Sequence, residues 1–501
     1  MKLRNHSVLQ NRISISSKKL IFSISIVGVL WAFLVNTHNL IYLEQNQAGN
    51  SNKGMIITPD DASYLRPAEN FINYGEWKDN SSGISSYIQR PPGMGVLHLI
   101  FYTISPSYNY ILHKGFHLFL HFFSLYFFGV LAFQLFGKKV GPFIQIIYAI
   151  IPVFWGYLFY YLTESITPSI LVFLLYGYFK YCDEPKPRWL FWQAGIVGVL
   201  LLIRPQLVVF IFPFLHSLFI FIKKGEPKRL RVMGSTFLLA FGMFFCWQGR
   251  SAYLAGRITG LHPIYDITNN TQYRPVHQSF GELYKIWEHE SKSFHSSLGR
   301  IWVHSVEDST LLSSSIDSAM IELPSQLFQC TSEDSWRLIF LDYYKVATLI
   351  EPYSRKQLSV PGEFPQEKKL RLQVDTLTQL LKKKLWKEYS IMTPIHSGYF
   401  MLTKSQLNLS IFQIKYRGQW WMEALRWVSI LIIIGSIIAS LLWLLDKNKS
   451  GFWLLAISIF LYLFYLFYVQ RMNEERYLMP LLPVVFLLGL KRIASFRKFK
   501  K

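Results

Sequence analysis

The sequence predicts an all-α polytopic membrane protein, because its composition is apolar, its apolar runs are long and its short loops are basic. Of its 501 residues, 51% are hydrophobic, 17% aromatic and only 16% charged, whereas a soluble domain carries about a quarter charged residues. Several runs approach or exceed the roughly 20 apolar residues that a helix needs to cross a bilayer. We expect about ten transmembrane helices and a mostly helical outer (periplasmic) domain.

The expected membrane helices follow the apolar runs in chain order. The run at 189–222 is too long for one span, and "IRPQ" at 203–206 divides it, because the residue before a proline avoids the helical region. The first run lacks a small-residue cleavage site, so we predict a span and not a removed signal. The runs are 20–35, 108–136, 140–161, 166–179, 189–222, 236–247, 424–445, 452–469 and 477–490.

Basic residues predict how these helices are oriented. The chain carries a net charge of +22, and lysine and arginine concentrate in the short cytoplasmic loops of membrane proteins. If both termini are cytoplasmic, every short inner segment holds at least two basic residues. Topology thereby explains the basic excess, and nucleic acid is not an expected partner.

This orientation divides the chain into five parts. The outer domain has the period of soluble amphipathic helices, with one apolar stripe in "FGELYKIWEHE" and another in "LRLQVDTLTQLLKKKLWKEY". The parts are a basic cytoplasmic N-terminus (1–19), a membrane core (20–249) whose first outer loop is 37–96, an outer domain (250–423), C-terminal membrane helices (424–490) and a basic cytoplasmic tail (491–501).

Two adjacent carboxylates follow the first apolar run, in "TPDDASYL" at 58–65. The motif is typical of a helix start, since Thr58 suits the cap, Pro59 suits the first helical position and Asp61 completes a Thr-x-x-Asp box. Asp60 is less easily explained, because capping needs only one of the two carboxylates. The pair is therefore either a helix start alone or a helix start that also carries a reactive group.

Further charged residues fall at the same predicted membrane surface, and each has an ordinary alternative. Arg90 in "QRPPG" is either a phosphate ligand or a side chain that extends to the lipid headgroups. Glu164 is either part of a polar site or a cap of the next span, since a carboxylate at that depth otherwise needs a polar cavity. Arg204 in "IRPQ" and Arg476 in "ERYLMP" are either phosphate ligands or interfacial anchors.

Four segments together resemble the GT-C superfamily of membrane glycosyltransferases, in its protein-mannosyltransferase and aminoarabinose-transferase branch. The resemblance covers about 20–249 and 424–490, while the outer domain is only loosely similar in its placement. The segments are "PDDASYLRPAENFINYGEW…QRPPGMGVLHLIF", "IPVFWGYLFYYLTESITPSIL", "LLLIRPQLVV" and "ERYLMPLLPVVFLLG".

The resemblance implies a role for individual residues. Asp60 matches the family's catalytic aspartate, and Asp61 matches its second acidic residue, where many relatives have glutamate. Tyr64 matches the tyrosine that follows this pair, and Arg90 matches the basic residue that contacts the phosphate of the lipid carrier. Glu164 matches the acidic residue of the later loop. We add Arg204 to the substrate-binding group as a further source of positive charge.

The chemistry of sugar transfer suits these residue types. Transfer from a polyprenyl-phosphate sugar to a hydroxyl group needs a base near the attacking oxygen, and a carboxylate serves this purpose. The leaving phosphate needs positive charge, for which a guanidinium group is well shaped. We therefore expect an inverting single displacement by a hexosyl- or pentosyltransferase, with Asp60 as general base and Arg90 on the phosphate.

A metal site is not predicted. "WEHE" at 287–290 places Glu288 and His289 on different faces of an amphipathic helix, and the sequence shows no histidine or cysteine spacing typical of zinc. Since some members of the superfamily use a divalent cation and others do not, the resemblance leaves a cation cofactor open.

Two other classes of function remain as alternatives. A lipid or glycan transporter (flippase) should carry paired charges near the middle of the bilayer, and a non-catalytic scaffold gives no reason for the charges to converge. An O-antigen ligase or polymerase is a near neighbour of the first interpretation. The expected partners are a polyprenyl-phosphate sugar, an acceptor that is a glycolipid, glycan or protein, and the lipids of a bacterial inner (cytoplasmic) membrane.

Overall fold

In the computed structural model, the chain is an assembly of helices with one short pair of strands. Nothing is said below of the residues between the following ranges. The structure describes residues 13–46, 51–52, 54–56, 58, 60–78, 90–224, 229–255, 274–288, 293–355, 360, 362–404, 418–446, 451–471 and 474–498.

Nineteen α-helices lie within these ranges. They are α1 (Ile15–Asn46), α2 (Asp61–Tyr74), α3 (Gly93–Ile104), α4 (Asn109–Ile150), α5 (Thr167–Asp183), α6 (Pro187–Ile203), α7 (Phe212–Lys223), α8 (Arg229–Ala255), α9 (Pro275–Tyr284), α10 (Phe294–Gly299), α11 (Ser305–Glu307), α12 (Leu312–Ile321), α13 (Ser325–Phe328), α14 (Glu333–Arg355), α15 (Pro365–Lys384), α16 (Thr393–Tyr399), α17 (Trp420–Leu441), α18 (Gly451–Phe464) and α19 (Leu482–Lys498).

Shorter elements connect the α-helices. Strands β1 (Ser51–Asn52) and β2 (Met55–Ile56) pair antiparallel, and Ile56 also forms a parallel bridge to Tyr160. Short 3₁₀ turns include Pro152–Phe154, Thr163–Ser165, Pro205–Ile211, Leu442–Leu445 and Glu475–Leu481. The described π-helical turns are Arg300–His304, Glu388–Met392, Phe400–Lys404 and Tyr465–Gln470.

Within the described ranges, seven helical segments are long and apolar enough to cross a membrane. Two shorter apolar helices, Gly93–Ile104 and Pro187–Ile203, accompany them. The predicted fold class, an all-α polytopic membrane protein, is confirmed. The seven are Ile15–Gln45, Asn109–Ile150, Pro205–Lys223, Arg229–Leu254, Trp420–Leu445, Gly451–Gln470 and Arg476–Ser495.

Two predicted breaks between spans appear in the structure. The run at 189–222 is divided at Arg204, where α6 ends and a 3₁₀ turn leads into α7. The 42-residue α4 contains Gly137 with φ 82° and ψ 179°, which separates its two halves. A side chain at this backbone conformation would be strained, so glycine suits the break.

One predicted span ends earlier than expected. The run 140–161 was predicted to be one span, but the helix ends at Ile150, and the following residues through Ser165 form turns that are buried throughout. Pro152 starts this irregular segment as the first residue of a 3₁₀ turn. Because the segment is apolar on every side, its sequence has no period that would separate it from a helix.

Two basic side chains of α19 contact other membrane helices near the end of the last span that is opposite to Arg476. Lys491, near the end of α19, donates to the Leu135 carbonyl at 2.9 Å. The Arg492 guanidinium lies 4.7 Å from the Trp443 ring, at the end of α17. Arg476, at the start of the same span, lies at the opposite end of the membrane helices and contacts Asp60 there. This end, which is defined by Asp60, Arg204 and Arg476, is called the site end below.

A second hydrophobic core lies within the predicted outer domain. It joins α9, α10, α12, α14 and α15 around buried Trp336 and Phe340. The two predicted apolar stripes face this core, with Phe280 and Leu283 from one and Leu370 and Val374 from the other. A fully buried ion pair between Arg274 and Glu367 closes the edge of this core.

Arg471 connects the outer domain to the membrane helices. It follows the π-helical end of the span Gly451–Gln470, is buried, and has a left-handed backbone with φ 54°. Its Nη1 donates to the Lys285 carbonyl at 3.0 Å, and its guanidinium lies 3.8 Å from the centre of the Tyr389 ring. A single side chain thereby contacts two segments of the outer domain.

Candidate active site

The start of α2 holds Asp61 in a buried position. The Thr58 backbone N–H donates to Asp61 Oδ2 at 2.8 Å, and the Thr58 hydroxyl donates to Asp61 Oδ1 at 2.6 Å. Only 2% of Asp61 is exposed. The residues of the predicted box are in contact, but the helix begins at Asp61 itself, and Pro59 lies outside the described residues. The local role of Asp61 is to fix this helix start.

Asp60 lies between two arginines that come from distant parts of the chain. Arg90 Nη2 donates to Asp60 Oδ1 at 2.8 Å, and Arg476 Nη2 donates to Asp60 Oδ2 at 2.8 Å. All three side chains are partly buried. Each carboxylate oxygen thus has a charge-assisted hydrogen bond, the stronger kind in proteins.

The first turn of α2 also positions Arg90. Ser63 donates to the Asp60 carbonyl at 2.7 Å and accepts from Arg90 Nε at 3.1 Å. The guanidinium carbon of Arg90 lies 5.1 Å from the centre of the Tyr64 ring, within the range of a cation–π contact. Asp60, Ser63 and Tyr64 therefore form one face that holds the Arg90 side chain.

A second carboxylate–guanidinium pair lies beside the first. Glu164 Oε1 and Arg204 Nη1 are 2.9 Å apart, and both side chains are buried. The Thr163 hydroxyl donates to Glu164 Oε2 at 2.9 Å. Glu164 does not cap α5, because the cap residue of that helix is Ile166. Arg204 is not an interfacial anchor, because its guanidinium contacts Glu164 inside the protein.

Arg476 and Tyr477 connect the two pairs. The guanidinium carbons of Arg204 and Arg476 lie 5.0 and 5.2 Å from the centre of the Tyr477 ring. Arg476 also forms an ion pair with Glu474. The structure thus brings all of the sequence-predicted site residues together at the site end, namely Asp60, Asp61, Tyr64, Arg90, Glu164 and Arg204.

Burial and charge shift the pKa of these groups in different directions. Burial raises the pKa of Asp61 to about 7, although the hydrogen bonds from Thr58 oppose the rise. Burial also acts to raise the pKa of Glu164, but the charges of Arg204 and Arg476 outweigh it and hold that pKa below its ordinary value. Burial raises the pKa of Tyr64. Glu164 is therefore a fixed anion, whereas Asp61 takes up a proton near neutrality.

The irregular segment that carries Glu164 is fixed from α4. His117 Nδ1 donates to the Leu158 carbonyl at 2.7 Å, and the Ile56 backbone N–H donates to the Phe159 carbonyl at 2.9 Å.

His113, His117 and His121 repeat every fourth residue along α4 and are all buried. His113 Nε2 lies 3.0 Å from His98 Nδ1, and His98 Nε2 lies 3.0 Å from a Glu69 carboxylate oxygen.

The sequence left Arg476 as either a phosphate ligand or an interfacial anchor, and the structure places its guanidinium on Asp60, the candidate base. Its position in "ERYLMP" carried a signal, because that motif belongs to the segments that resemble the GT-C superfamily. The contact with Asp60 had no local signal, since the two residues are 416 positions apart.

A candidate metal centre is absent from the described residues, where no three histidine, cysteine or acidic side chains are grouped to hold an ion. Of the "WEHE" motif, His289 and Glu290 lie outside the described residues. Glu288 is partly buried, and burial raises its pKa to about 7.

Comparisons with known proteins add one structural likeness. The sequence matches no known family model and no curated protein. The structure is similar to that of ArnT from Cupriavidus metallidurans bound to undecaprenyl phosphate, with 11% sequence identity and a TM-score of 0.34. The match covers 94% of this chain and 77% of ArnT. A likeness of this size does not assign a function.

Proposed function

We propose that the protein is a membrane glycosyltransferase that moves a sugar from a polyprenyl-phosphate donor to an acceptor hydroxyl at the site end. One observation carries the proposal: Asp60 lies between Arg90 and Arg476, with the Glu164–Arg204 pair beside it. A carboxylate and several guanidinium groups at a membrane surface suit a reaction that has a hydroxyl nucleophile and a lipid phosphate as leaving group.

In the proposed reaction, Asp60 is the general base. The acceptor oxygen attacks the anomeric carbon as its proton passes to the Asp60 carboxylate. The bond from the anomeric carbon to the phosphate oxygen breaks, and polyprenyl phosphate leaves with the electron pair. This single displacement inverts the anomeric centre. No general acid is needed, because the leaving phosphate is already a weak base.

The arginines have two tasks in this proposal. A donor phosphate competes with Asp60 for the Arg90 and Arg476 guanidinium groups, which are shaped for phosphate oxygens. When the phosphate takes these hydrogen bonds, the Asp60 carboxylate becomes available to the acceptor hydroxyl. Arg204 is held by Glu164 and contributes positive charge behind this pair. Asp61 fixes the helix start that carries Asp60.

The remaining assignments belong to the same proposal. The acceptor is a glycolipid, glycan or protein, and the enzyme lies in a bacterial inner membrane with both termini in the cytoplasm. The resemblance of the four membrane segments to GT-C enzymes supports this choice over an O-antigen ligase or polymerase. The proposed roles of the residues named here do not require a divalent cation.

One observation favours the alternative of a transporter. The buried histidines of α4 extend from the site end along a membrane helix, and ionisable residues inside membrane helices often belong to transport pathways. The charged residues of the candidate site instead cluster at one end of the helices, which favours the enzyme.

Turnover of a lipid-linked donor tests the proposal. We would incubate the purified protein in lipid nanodiscs with a panel of polyprenyl-phosphate sugars and candidate acceptors, and measure released polyprenyl phosphate. Asp60→Asn should reduce the rate by about 100-fold or more, the loss expected when a general base is removed. Asp342→Asn, which removes an exposed carboxylate from the outer domain, should keep the wild-type rate.

Two outcomes would count against the proposal. If folded Asp60→Asn, checked by thermal unfolding, matches the wild type, the base is another residue. If the wild-type protein consumes no donor in the panel but moves a labelled lipid across a vesicle membrane, the transporter alternative replaces the enzyme.

A further inference from the structure

One helical segment of the outer domain has a buried face and an exposed apolar face. This surface segment, residues 386–404, contains α16 and the π-helical turns Glu388–Met392 and Phe400–Lys404 on its two sides. Thr393, Ser397 and Met401 are buried on one face. The large apolar side chains that the segment exposes are Trp386, Ile391, Met392, Ile395 and Tyr399. An exposed apolar patch of this kind is typical of a surface that contacts a membrane or another protein.

The buried face fixes the surface segment at the level where two spans leave the membrane. Gly398 packs against the ring of Phe467, which lies near the end of the span Gly451–Gln470. The Thr403 carbonyl accepts from Arg426 Nη1 at 3.2 Å, near the start of the span Trp420–Leu445. Both contacts lie at the site end.

Exposed aromatic side chains surround this level. Trp420, Trp421 and Trp427 are exposed around the first turns of α17, and Tyr468 is exposed at the other span. Tryptophan and tyrosine are enriched at the boundary between lipid and water. The exposed face of the surface segment therefore continues the lipid-facing surface of the two spans.

Lysines lie directly before the surface segment and at its start. Lys383, Lys384 and Lys387 are exposed, and none of them forms an ion pair with a carboxylate in the described part of the chain. Lysines beside an apolar helical face are typical of helices that rest on anionic membranes. Their charge is complementary to lipid phosphates.

We infer that the surface segment is an interfacial helix that binds the anionic lipid leaflet at the site end. Its exposed apolar side chains enter the boundary between headgroups and acyl chains, and the three lysines contact lipid phosphates. The outer domain is thereby held on the membrane through its own lipid contact, beside its covalent connections to the spans. This inference does not depend on the proposed enzymatic activity.

A fluorescent probe on the exposed face tests the inference. We would place the full chain, with Cys182, Cys246 and Cys330 replaced by serine, in nanodiscs of phosphatidylcholine with phosphatidylglycerol. Ile395→Cys, at a position that is 62% exposed, would carry an environment-sensitive fluorophore. Leu372→Cys is the matched control, because Leu372 is 51% exposed on α15 and precedes Ile395 by 23 residues.

The probe at 395 should show blue-shifted emission and quenching by lipids that carry a nitroxide near the headgroup, with protection from aqueous iodide. The probe at 372 should show the reverse. If the serine background or the probe at 395 prevents folding, Tyr399→Cys with alanine in place of the three cysteines gives the same readout one turn further on.

Three results would overturn the inference. A probe at 395 that iodide quenches as strongly as the control would place the face in water. Protection from iodide without quenching by lipid would mean that protein covers it, and cross-linking would then show whether this is a second copy of the chain. Quenching by lipid that is equal with and without phosphatidylglycerol, and unchanged by Lys383→Gln/Lys384→Gln/Lys387→Gln, would exclude the anionic lipid contact.

Discussion

Asp60 and Asp61 are neighbours in sequence but have different surroundings. The Asp60 oxygens contact Arg90 and Arg476 at the protein surface, whereas the Asp61 oxygens accept from Thr58 in the interior. The difference follows from the helix start, because two successive residues at the first turn of a helix point in different directions. Only the Asp60 carboxylate is partly exposed to solvent, whereas the Asp61 carboxylate is buried.

Removal of Arg476 should weaken donor binding more than it slows chemistry. A hydrogen bond to a charged group contributes about 1.5–3 kcal/mol, so Arg476→Gln should raise the KM for the donor by roughly 10- to 150-fold with a smaller change in kcat. Steady-state kinetics with the active polyprenyl-phosphate sugar measure this, and Arg337→Gln on the exposed outer surface is the control. An unchanged KM would return Arg476 to the role of an anchor.

Asp61 should make the stability of the protein depend on pH. Its pKa of about 7 in the folded state lies above the ordinary 3.8, so the folded state binds this proton more tightly than the unfolded state. The resulting stabilisation is complete below the ordinary value and is lost as pH rises toward 7, with a slope of up to about 1.4 kcal/mol per pH unit.

Thermal unfolding of wild type and Asp61→Asn in nanodiscs at a series of pH values between about 4 and 8 isolates this effect. The wild-type Tm should fall relative to that of the variant as pH rises. A constant difference between the two Tm values would show that Asp61 does not titrate in this range.

At the scale of elements, the site depends on segments that interrupt the membrane helices. Glu164 lies in the irregular segment between α4 and α5, and Arg204 lies at the break between α6 and the turn that follows it. In a continuous membrane helix, most side chains lie within the bilayer and only those at its ends reach the membrane surface. The breaks let residues at the ends of several spans converge.

The break in α4 should be sensitive to substitution. Gly137 has φ 82° and ψ 179°, a conformation that is essentially restricted to glycine and that costs other residues about 1–3 kcal/mol. Gly137→Ala should therefore lower the free energy of unfolding by about this amount. Gly115 in the same helix has open space around its added methyl group, so Gly115→Ala should instead stabilise by about 0.5–1 kcal/mol.

Thermal unfolding of both variants in the same nanodiscs measures the contrast. If the two substitutions shift the Tm in the same direction, the backbone at Gly137 does not have the conformation described here.

The sequence was informative about elements where a local pattern was present. The division at "IRPQ" was predicted because a proline limits the residue before it. The end of α4 at Ile150 was not predicted, because the buried run that follows has no periodicity. At the start of α14, the Ser332 hydroxyl accepts from the Ser335 backbone N–H at 3.3 Å, although the preceding Thr331 has an equally suitable side chain. Adjacent threonine and serine cap equally well, so their order carries little information.

At the scale of the whole molecule, polar and apolar contacts among the described residues join two hydrophobic cores. Arg471 contacts Lys285 and Tyr389, and Arg426 contacts Thr403. The sequence indicated the separate outer core through its amphipathic stripes. These connecting contacts were not predictable, because each depends on how two distant segments are oriented after folding.

The orientation of the whole chain in the membrane is testable with a C-terminal fusion and one introduced cysteine. A fluorescent protein fused after Lys501 should fluoresce, because the C-terminus is predicted to be cytoplasmic. A membrane-impermeant maleimide should label Leu372→Cys, in the serine background, in intact spheroplasts. A dark fusion together with labelling only after lysis would reverse the predicted topology.

The contact between Asp60 and Arg476 also has a consequence for biosynthesis. During translation, α2 and α3 leave the ribosome long before the last span, because the two contacting residues are 416 positions apart. Until that span inserts, Asp60 can accept a hydrogen bond from Arg90 but has none from Arg476. The candidate site is therefore completed only by the final insertion event, and a chain that is truncated before its last span lacks the Arg476 contact to Asp60.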